Sequence, residues 1–164
     1  MLKYVMDNVS KFINRKYFKT YFDWFIRKFT LIEKSEELER CRKNNIHPIR
    51  PRKGEIYLIE FGQNVGKELC NVHMGIIMQK SLKNSIASTV VVIPISSSPK
   101  LCDTHERILE NDVIEGKLNK LPSKAKAEQI TYIDKSRLIH KVGEMSMDFM
   151  QRLGKRIMKN LDIV

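Results

Sequence analysis

Residues 88–98 read STVVVIPISSS, and this run of β-branched residues bounded by serines indicates the class of fold. Val, Ile and Thr favour strands because their branched side chains pack well on a pleated surface. Two related apolar runs precede it, EIYLIEFG at 55–62 and HMGIIMQK at 73–80. Short strands that follow one another this closely are typical of a small barrel.

The rest of the C-terminal part adds weaker patterns. Residues 124–134, KAKAEQITYID, alternate small or apolar residues with polar ones and predict a further strand. The polar segment 99–122 is expected to hold one strand, ERIL, inside a long loop system. Apolar residues at helical spacing predict a final amphipathic helix: Met150, Leu153, Ile157 and Leu161. The expected fold is mostly β, a small barrel with a C-terminal helix.

The composition changes near residues 44–54, NNIHPIRPRKG. Pro48 and Pro51 disfavour helix in the residues before them, and Gly54 opens the next element. We therefore expect a helical N-terminal extension at 1–48 and a barrel domain at 49–164.

The extension carries apolar residues along one face of a predicted helix. They are Phe18, Tyr21, Phe22, Phe25, Phe29 and Ile32, and a similar face begins earlier at Val5, Val9, Phe12 and Ile13. The segment 35–43, SEELERCRK, predicts a separate short helix with Ser35 as its N-cap. We expect the stripe to pack against its own domain or against a second copy of the chain. A helix lying on a membrane surface and a helix docked on a partner protein are the alternatives.

The overall charge narrows the classes of partner. Thirty Lys and Arg residues against nineteen Asp and Glu give a formal net charge of +11, with a sequence pI of about 9.6. Such a balance favours an anionic partner such as RNA, DNA or an acidic membrane surface. An odd count of three cysteines without a CxxC pair argues against a disulfide framework and for a cytoplasmic protein. The scattered histidines give poor spacing for structural zinc, and no signal peptide or membrane span is expected.

The order of RKGEIYLIEF, GKELCNVHMGIIMQ, STVVVIPISS and AEQITYIDKSRL, followed by a last helix, resembles the PemK/MazF family of toxin endoribonucleases. The resemblance covers about residues 50–164 and is most specific at EQITYIDKSRL. It implies a barrel like that of Src-homology-three domains, usually a homodimer, that cuts single-stranded RNA and is neutralised by a cognate antitoxin. The implied chemistry uses no metal or other cofactor. A 2′-hydroxyl attacks the adjacent phosphate and leaves a cyclic phosphate and a 5′-hydroxyl.

The resemblance also suggests site residues, and His73 is the main departure from the family pattern. His73 stands where many relatives have a catalytic arginine, at the junction where a loop enters the second strand. Histidine, with an ordinary pKa near ~6.5, suits acid–base chemistry at neutral pH, so cleavage could survive the exchange. Alternatively, the loss of the arginine's permanent charge leaves the site weakened or inactive.

Four further groups complete the implied site. Ser96 matches a phosphate-contacting Ser or Thr, with Ser97 beside it, although serines before a proline also form turns. Lys126 and Glu128 match a catalytic cation and carboxylate and would share one face of a strand, where they could also form a structural ion pair. Matches to the family loop and motif predict RNA contacts for four residues: Gly66, Lys67, Glu68 and Gln129. Glu68 could instead order its loop, and Gly66 is expected to have positive φ.

Three functions remain open on the sequence. The first is a metal-independent endoribonuclease of a type II toxin–antitoxin pair. The second is a degenerate barrel that binds RNA or a partner protein without cleavage, because a fold does not fix a function. In the third, the N-terminal helices are the active element and the barrel is a passenger.

Overall fold

The computed structural model of the chain describes residues 18–163, which form eight strands and three α-helices. In chain order the elements are α1 Phe18–Arg40, β1 Glu55–Gly62, β2 Asn71–Ile77, α2 Ser81–Ile86, β3 Thr89–Ser96, β4 His105–Ile108, β5 Val113–Gly116, β6 Ser123–Lys126, β7 Thr131–Asp134, β8 Leu138–Met145 and α3 Met147–Asn160. Three short 3-10 turns join them, at Glu110–Asp112, Ala127–Gln129 and Lys135–Arg137. The three β-rich runs of the sequence correspond to β1, β2 and β3, as predicted.

The strands form one curled antiparallel sheet in the order β4-β6-β3-β2-β1-β8-β5, and β7 also pairs with β3. The eight-residue strand β3 lets the sheet curl because its first half pairs with β7 and its last two residues pair with β6. Register shifts in the pairing of β1 with β8 add to the bend, since a bulge increases the local twist. The prediction of a mostly β fold with a helix at each end is confirmed.

Two apolar clusters fill the curl of the sheet. The first lies under α3 and includes Ile56, Ile76, Ile93 and Phe149, all fully buried. The second lies on the side of the N-terminal linker and includes Ile59, Ile77 and Val92. Because strands β1, β2 and β3 bury residues on both faces, they read as nearly continuous apolar runs.

The C-terminal helix α3 agrees with its prediction. The Ser146 hydroxyl accepts a hydrogen bond from the Phe149 amide at 3.2 Å and caps the helix at its start. Met150 and Leu153 are buried against the sheet, whereas Leu161 lies beyond the helix end and is exposed.

The prediction of a separate short helix at 35–43 is wrong, because α1 runs unbroken from Phe18 to Arg40. Ser35 lies inside α1, where its hydroxyl donates to the Asp134 carboxylate at 3.0 Å instead of capping. Lys34 beside it donates to the Ser136 carbonyl at 2.7 Å. These contacts attach the helix to the end of β7 and to the 3-10 turn Lys135–Arg137, so they favour its continuation over a break.

The face by which α1 docks is not the predicted one. Trp24 and Leu31 are the buried apolar residues of α1, and the Trp24 ring lies so close to Gly62 that a Cβ at Gly62 would clash with it. Arg27 adds a bidentate pair with Glu60, with its shortest contact at 2.9 Å. The apolar stripe instead points away from the barrel, so the expectation that its own domain covers it is wrong. Val5, Val9, Phe12 and Ile13 lie outside the described residues.

Two predictions in the C-terminal part also need correction. Residues 99–122 contain two strands, β4 and β5, rather than one. Residues 124–134 are not a single strand, because the 3-10 turn Ala127–Gln129 separates β6 from β7. The first half of β3 therefore pairs with β7, and the last two residues of β3 pair with β6.

The linker between α1 and β1 packs closely on the barrel. His47 is 1% exposed and its amide donates to the Ser85 carbonyl at 2.7 Å. Lys135, fully buried, donates from Nζ to the carbonyls of Ile49, Asn84 and Ala87. The division into parts 1–48 and 49–164 stays a prediction, although many contacts cross it. Within residues 18–163, no helix combines the length and apolar character needed to span a bilayer.

Candidate nucleic-acid interface

A groove of about 810 Å³ opens between loop 62–70, the 3-10 turn Ala127–Gln129 and β7. Its lining combines apolar side chains with charged, amide and aromatic groups, among them Lys67, Glu68, Glu128, Gln129, Tyr132 and Arg137. Tyr132 is 67% exposed, so its ring is available to a ligand in the groove. The groove therefore combines an open aromatic ring with cationic and acidic side chains, a mixture suited to bases and phosphates.

Loop 62–70 is held in place by the residues predicted there. Gly66 has φ +65°, which confirms the expected left-handed conformation. The Glu68 carboxylate accepts a hydrogen bond from the Val65 amide at 3.1 Å. Glu68 therefore orders the loop, which was one of the two roles predicted for it. Gln129 donates from Nε2 to the Lys67 carbonyl at 3.2 Å, while its Oε1 is buried without a hydrogen-bond partner among the described residues.

Lys126 and Glu128 lie close together, although not for the predicted reason. Lys126 ends β6 and Glu128 lies in the following 3-10 turn, so they do not alternate along one strand. The turn nevertheless brings Lys126 Nζ to 4.0 Å from Glu128 Oε1. Both side chains are partly exposed, which leaves the pair accessible to a ligand.

His105, which the sequence analysis did not single out, holds the Glu128 carboxylate. Its Nε2 lies 3.1 Å from Glu128 Oε1, and the imidazole itself is 8% exposed. The Cys102 amide donates to Nδ1 at 3.2 Å, which makes Nδ1 an acceptor and assigns the proton to Nε2. Both ring nitrogens are thus engaged, and His105 fixes the orientation of Glu128.

His73 lies within a strand rather than at a loop junction. Strand β2 begins at Asn71, so His73 is its third residue, paired with Ile59 of β1. Opposite residues of an antiparallel pair share a face, which places His73 on the side of the sheet that carries the second apolar cluster. Phe61 and Ile133 of that cluster line the groove, but His73 is not among the residues that line it.

Ser96 and Ser97 lie at the end of β3, beyond the groove lining. Ser96 is paired with Lys124 of β6, and its hydroxyl accepts from the Ser98 amide at 3.3 Å. That contact is the turn expected of a serine cluster. Ser97 is exposed in the loop that follows. The described structure therefore brings Lys67, Glu68, Glu128 and Gln129 to one groove with Lys126 beside it, whereas His73 and Ser96 do not line it.

The arrangement offers acid–base and anion-binding groups. Across residues 18–163, no group of three or more His, Cys, Asp or Glu side chains is arranged to hold a metal ion. A carboxylate fixed by an imidazole can accept a proton, and an adjacent ammonium can stabilise negative charge on a phosphoryl oxygen.

Comparison with solved structures shows which known fold the chain resembles. MazF from Deinococcus radiodurans superposes with a TM-score of 0.57 at 14% identity, covering 70% of this chain and 98% of that chain. An endoribonuclease in complex with its cognate antitoxin from Mycobacterial species gives 0.54 at 17% identity, covering 69% and 94%. The Mycobacterium tuberculosis toxin MazF-mt6 gives 0.53 at 18% identity, covering 66% and 96%. At these identities the similarity shows the fold alone, a curled antiparallel half-barrel of MazF type.

No curated protein resembles the chain closely enough in sequence to count as a relative. The profile of one family matches residues 52–161, which is 110 of the 164 residues and begins beyond α1. The chain belongs to the PemK-like, MazF-like toxins of type II toxin–antitoxin systems.

Proposed function

We propose that this toxin is a metal-independent endoribonuclease that cleaves single-stranded RNA. The observation that carries the proposal is the Lys126–Glu128 pair beside the groove, with Glu128 oriented by His105. An imidazole that donates to a carboxylate from a buried position fixes the direction in which the free oxygen of that carboxylate points. Such pre-orientation serves proton transfer, because the distance between base and proton decides its efficiency.

In the proposed reaction the RNA supplies its own nucleophile. Glu128 takes the proton of a 2′-hydroxyl, whose oxygen attacks the adjacent phosphorus while the bond from phosphorus to the 5′ oxygen breaks. The products are a 2′,3′-cyclic phosphate and a 5′-hydroxyl. As the acid that gives a proton to the departing 5′ oxygen we propose His73, which does not line the groove but lies on the same side of the sheet. Lys126 and Ser96 donate to the phosphoryl oxygens, where negative charge grows. DNA lacks the 2′-hydroxyl and is not a substrate in this scheme.

The groove is the proposed path of the RNA strand. Lys67 and Gln129 line it, and Tyr132 presents a ring on which a base can stack, a contact typically worth ~1–3 kcal/mol. Gly66 and Glu68 contribute through loop 62–70, which borders the groove, and Ser97 is proposed as a further RNA contact beyond the groove lining. We also propose a cognate antitoxin as the protein partner, since relatives from Mycobacterial species and Deinococcus radiodurans were crystallised with theirs.

The test is cleavage of a long unstructured RNA by the purified full chain in excess EDTA, with the new ends mapped. Discrete cuts that leave 5′-hydroxyl ends are expected. Intact RNA that is nevertheless retained by the folded protein, with affinity falling steeply as salt rises, would favour the degenerate RNA-binding barrel.

Two variants separate the roles. Glu128→Gln keeps a hydrogen-bond acceptor for His105 but removes the base, and we expect cleavage to fall ~10²–10⁴-fold. Glu37→Gln on the exposed side of α1 is the matched control, since Glu37 has no ion pair among the described residues, and it should cleave normally. His73→Ala tests the acid, and unchanged cleavage by a folded His73→Ala chain would remove His73 from the mechanism.

A further inference from the structure

Helix α1 has one docked face and one large uncovered apolar face. Six apolar side chains of that face are each between 47% and 54% exposed: Tyr21, Phe22, Phe25, Ile26, Phe29 and Ile32. On a helix turning 100° per residue, their direction differs by roughly 130° from that of the docked residues Trp24 and Leu31. The barrel therefore does not cover this face, and the face is accessible along the helix for more than three turns.

The spacing within the face is that of a two-stranded coiled coil. Phe18, Phe22, Phe25, Phe29 and Ile32 follow one another at intervals of four, three, four and three residues. This 3.5-residue repeat is the narrow seam by which one helix packs along another. The Phe18 and Phe22 rings stack at 5.9 Å, and the Phe25 and Phe29 rings meet edge to face at 5.1 Å. The seam is thus a pre-ordered ridge of paired rings.

We propose that this seam binds the same seam of a second copy of the chain, as a parallel pair of α1 helices. Four of the six side chains are aromatic, and because a large aromatic side chain buries ~150–250 Å², each half-exposed one offers ~100 Å², with the two isoleucines offering less. A symmetric pair would bury ~1,000–1,200 Å² in total, which is at the lower end of the size of specific protein interfaces. The seam is also self-complementary, as the isologous contact of a two-fold dimer requires.

The charges beside the seam favour a second copy and fix its direction. In a parallel pair, the residue just before a seam position such as Phe29 lies beside the residue five positions after it on the other helix. Lys28 of each copy would then lie opposite Glu33 of the other, giving two opposite-charge contacts. An antiparallel pair would instead set Lys28 against Lys28 or Tyr21 of the other helix, depending on the register, and would lose both contacts with Glu33.

A lipid surface fits this helix less well. Residues 18–40 contain five Lys and Arg and five Asp and Glu, so α1 has no net positive charge to attract anionic lipid. Glu36 and Glu39 continue the direction of the stripe itself, where a surface-bound helix needs apolar residues. In the parallel pair these carboxylates lie past the end of the apolar contact.

The test is the mass of the full chain by sedimentation at several concentrations. Phe25→Glu places a charge in the middle of the seam and should halve the mass, with the circular dichroism spectrum unchanged, because Phe25 is 54% exposed within its own chain. Leu82→Glu is the matched control: Leu82 is 78% exposed on α2, away from the seam, and this variant should keep the wild-type mass. The halving is expected where the α1 seam is the contact that holds the two copies together, and it does not depend on RNA cleavage.

Charge exchange tests the direction. Lys28→Glu should raise the dissociation constant of the pair about tenfold by setting Glu against Glu33, and Lys28→Glu with Glu33→Lys should restore it. A mass that Phe25→Glu leaves unchanged would overturn the proposal. So would a wild-type chain that is monomeric and instead sediments with vesicles of anionic phospholipid, or one that associates only after the antitoxin is added. Failure of the double variant to restore pairing would overturn the parallel arrangement.

Discussion

Replacing the buried lysine Lys135 by methionine should destabilise the protein by about 2–6 kcal/mol. Lys135 Nζ donates to three main-chain carbonyls, at 2.9 Å to Ile49 and 2.5 Å to Asn84 and Ala87. These acceptors belong to the linker, to α2 and to the residue that follows α2. Methionine fills a similar volume but leaves all three buried carbonyls without this donor.

The magnitude follows from two opposing effects. Hydrogen bonds to a charged donor contribute ~1.5–3 kcal/mol each, so three give ~5–9 kcal/mol. Burial acts against them and lowers the pKa of Lys135 from 10.5 to about 8, which corresponds to a cost of ~3 kcal/mol for keeping the ammonium charged. The difference is the expected loss. Urea denaturation at pH 7 measures it, with Lys83→Met, an exposed lysine of α2, as the control that should change stability by less than ~0.5 kcal/mol.

The same lysine predicts an unusual dependence of stability on pH. The folded protein releases the Lys135 proton near pH 8, whereas the unfolded chain keeps it to about 10.5, so between these values the unfolded state binds more protons. Stability should therefore rise with pH, by up to ~1.4 kcal/mol per unit, between pH 8 and the onset of tyrosine ionisation near ~10. Lys135→Met should lack this rise. Equal stability of the wild type at pH 8 and pH 9.5 would refute the reasoning.

Two further predictions concern the contacts that attach the N-terminal part. Burial lowers the pKa of His47, so protonation of this side chain favours the unfolded chain, and the free energy of unfolding should fall as the pH drops below about 6.5. Urea denaturation at pH 7.5 and 5.5 should show this loss in the wild type and a smaller one in His47→Gln. Equal losses in both proteins would contradict this cause. Trp24→Ala should lower the free energy of unfolding by ~3 kcal/mol because it empties the space over Gly62, whereas Leu82→Ala, at a 78% exposed position, should have little effect. Similar losses for both variants would show that Trp24 does not anchor α1.

The strands were predictable from sequence because β-branched and apolar residues are concentrated where both faces of the sheet are buried. The break at Ala127–Gln129 was not, since KAKAEQITYID keeps its alternation through a turn that is imposed by the curl of β3. His105 was missed for a related reason. It lies in a polar segment without a motif, and its partner Glu128 is 23 residues away.

The docked face of α1 was mistaken because apolar periodicity was taken to mark the buried side. The end of the barrel that receives the helix presents carbonyl and carboxylate oxygens, which Arg27, Lys34 and Ser35 contact. A polar docking surface selects the polar face of an amphipathic helix and leaves the apolar one free. An exposed stripe of this length has a cost in water, which is the physical reason to expect a second surface over it.

The helix and the candidate RNA groove share a wall, which connects the extension to the proposed function. Arg137 lines the groove, donates to the Phe61 carbonyl at 2.8 Å and lies over the Trp24 ring at 5.4 Å. Asp134 lines the same groove and accepts from Ser35. Removing α1 would therefore free two charged side chains of the groove as well as expose Gly62. Because Arg137 and Asp134 contact α1 and also line the groove, the helix and the barrel are expected to act together, and neither is expected to be dispensable.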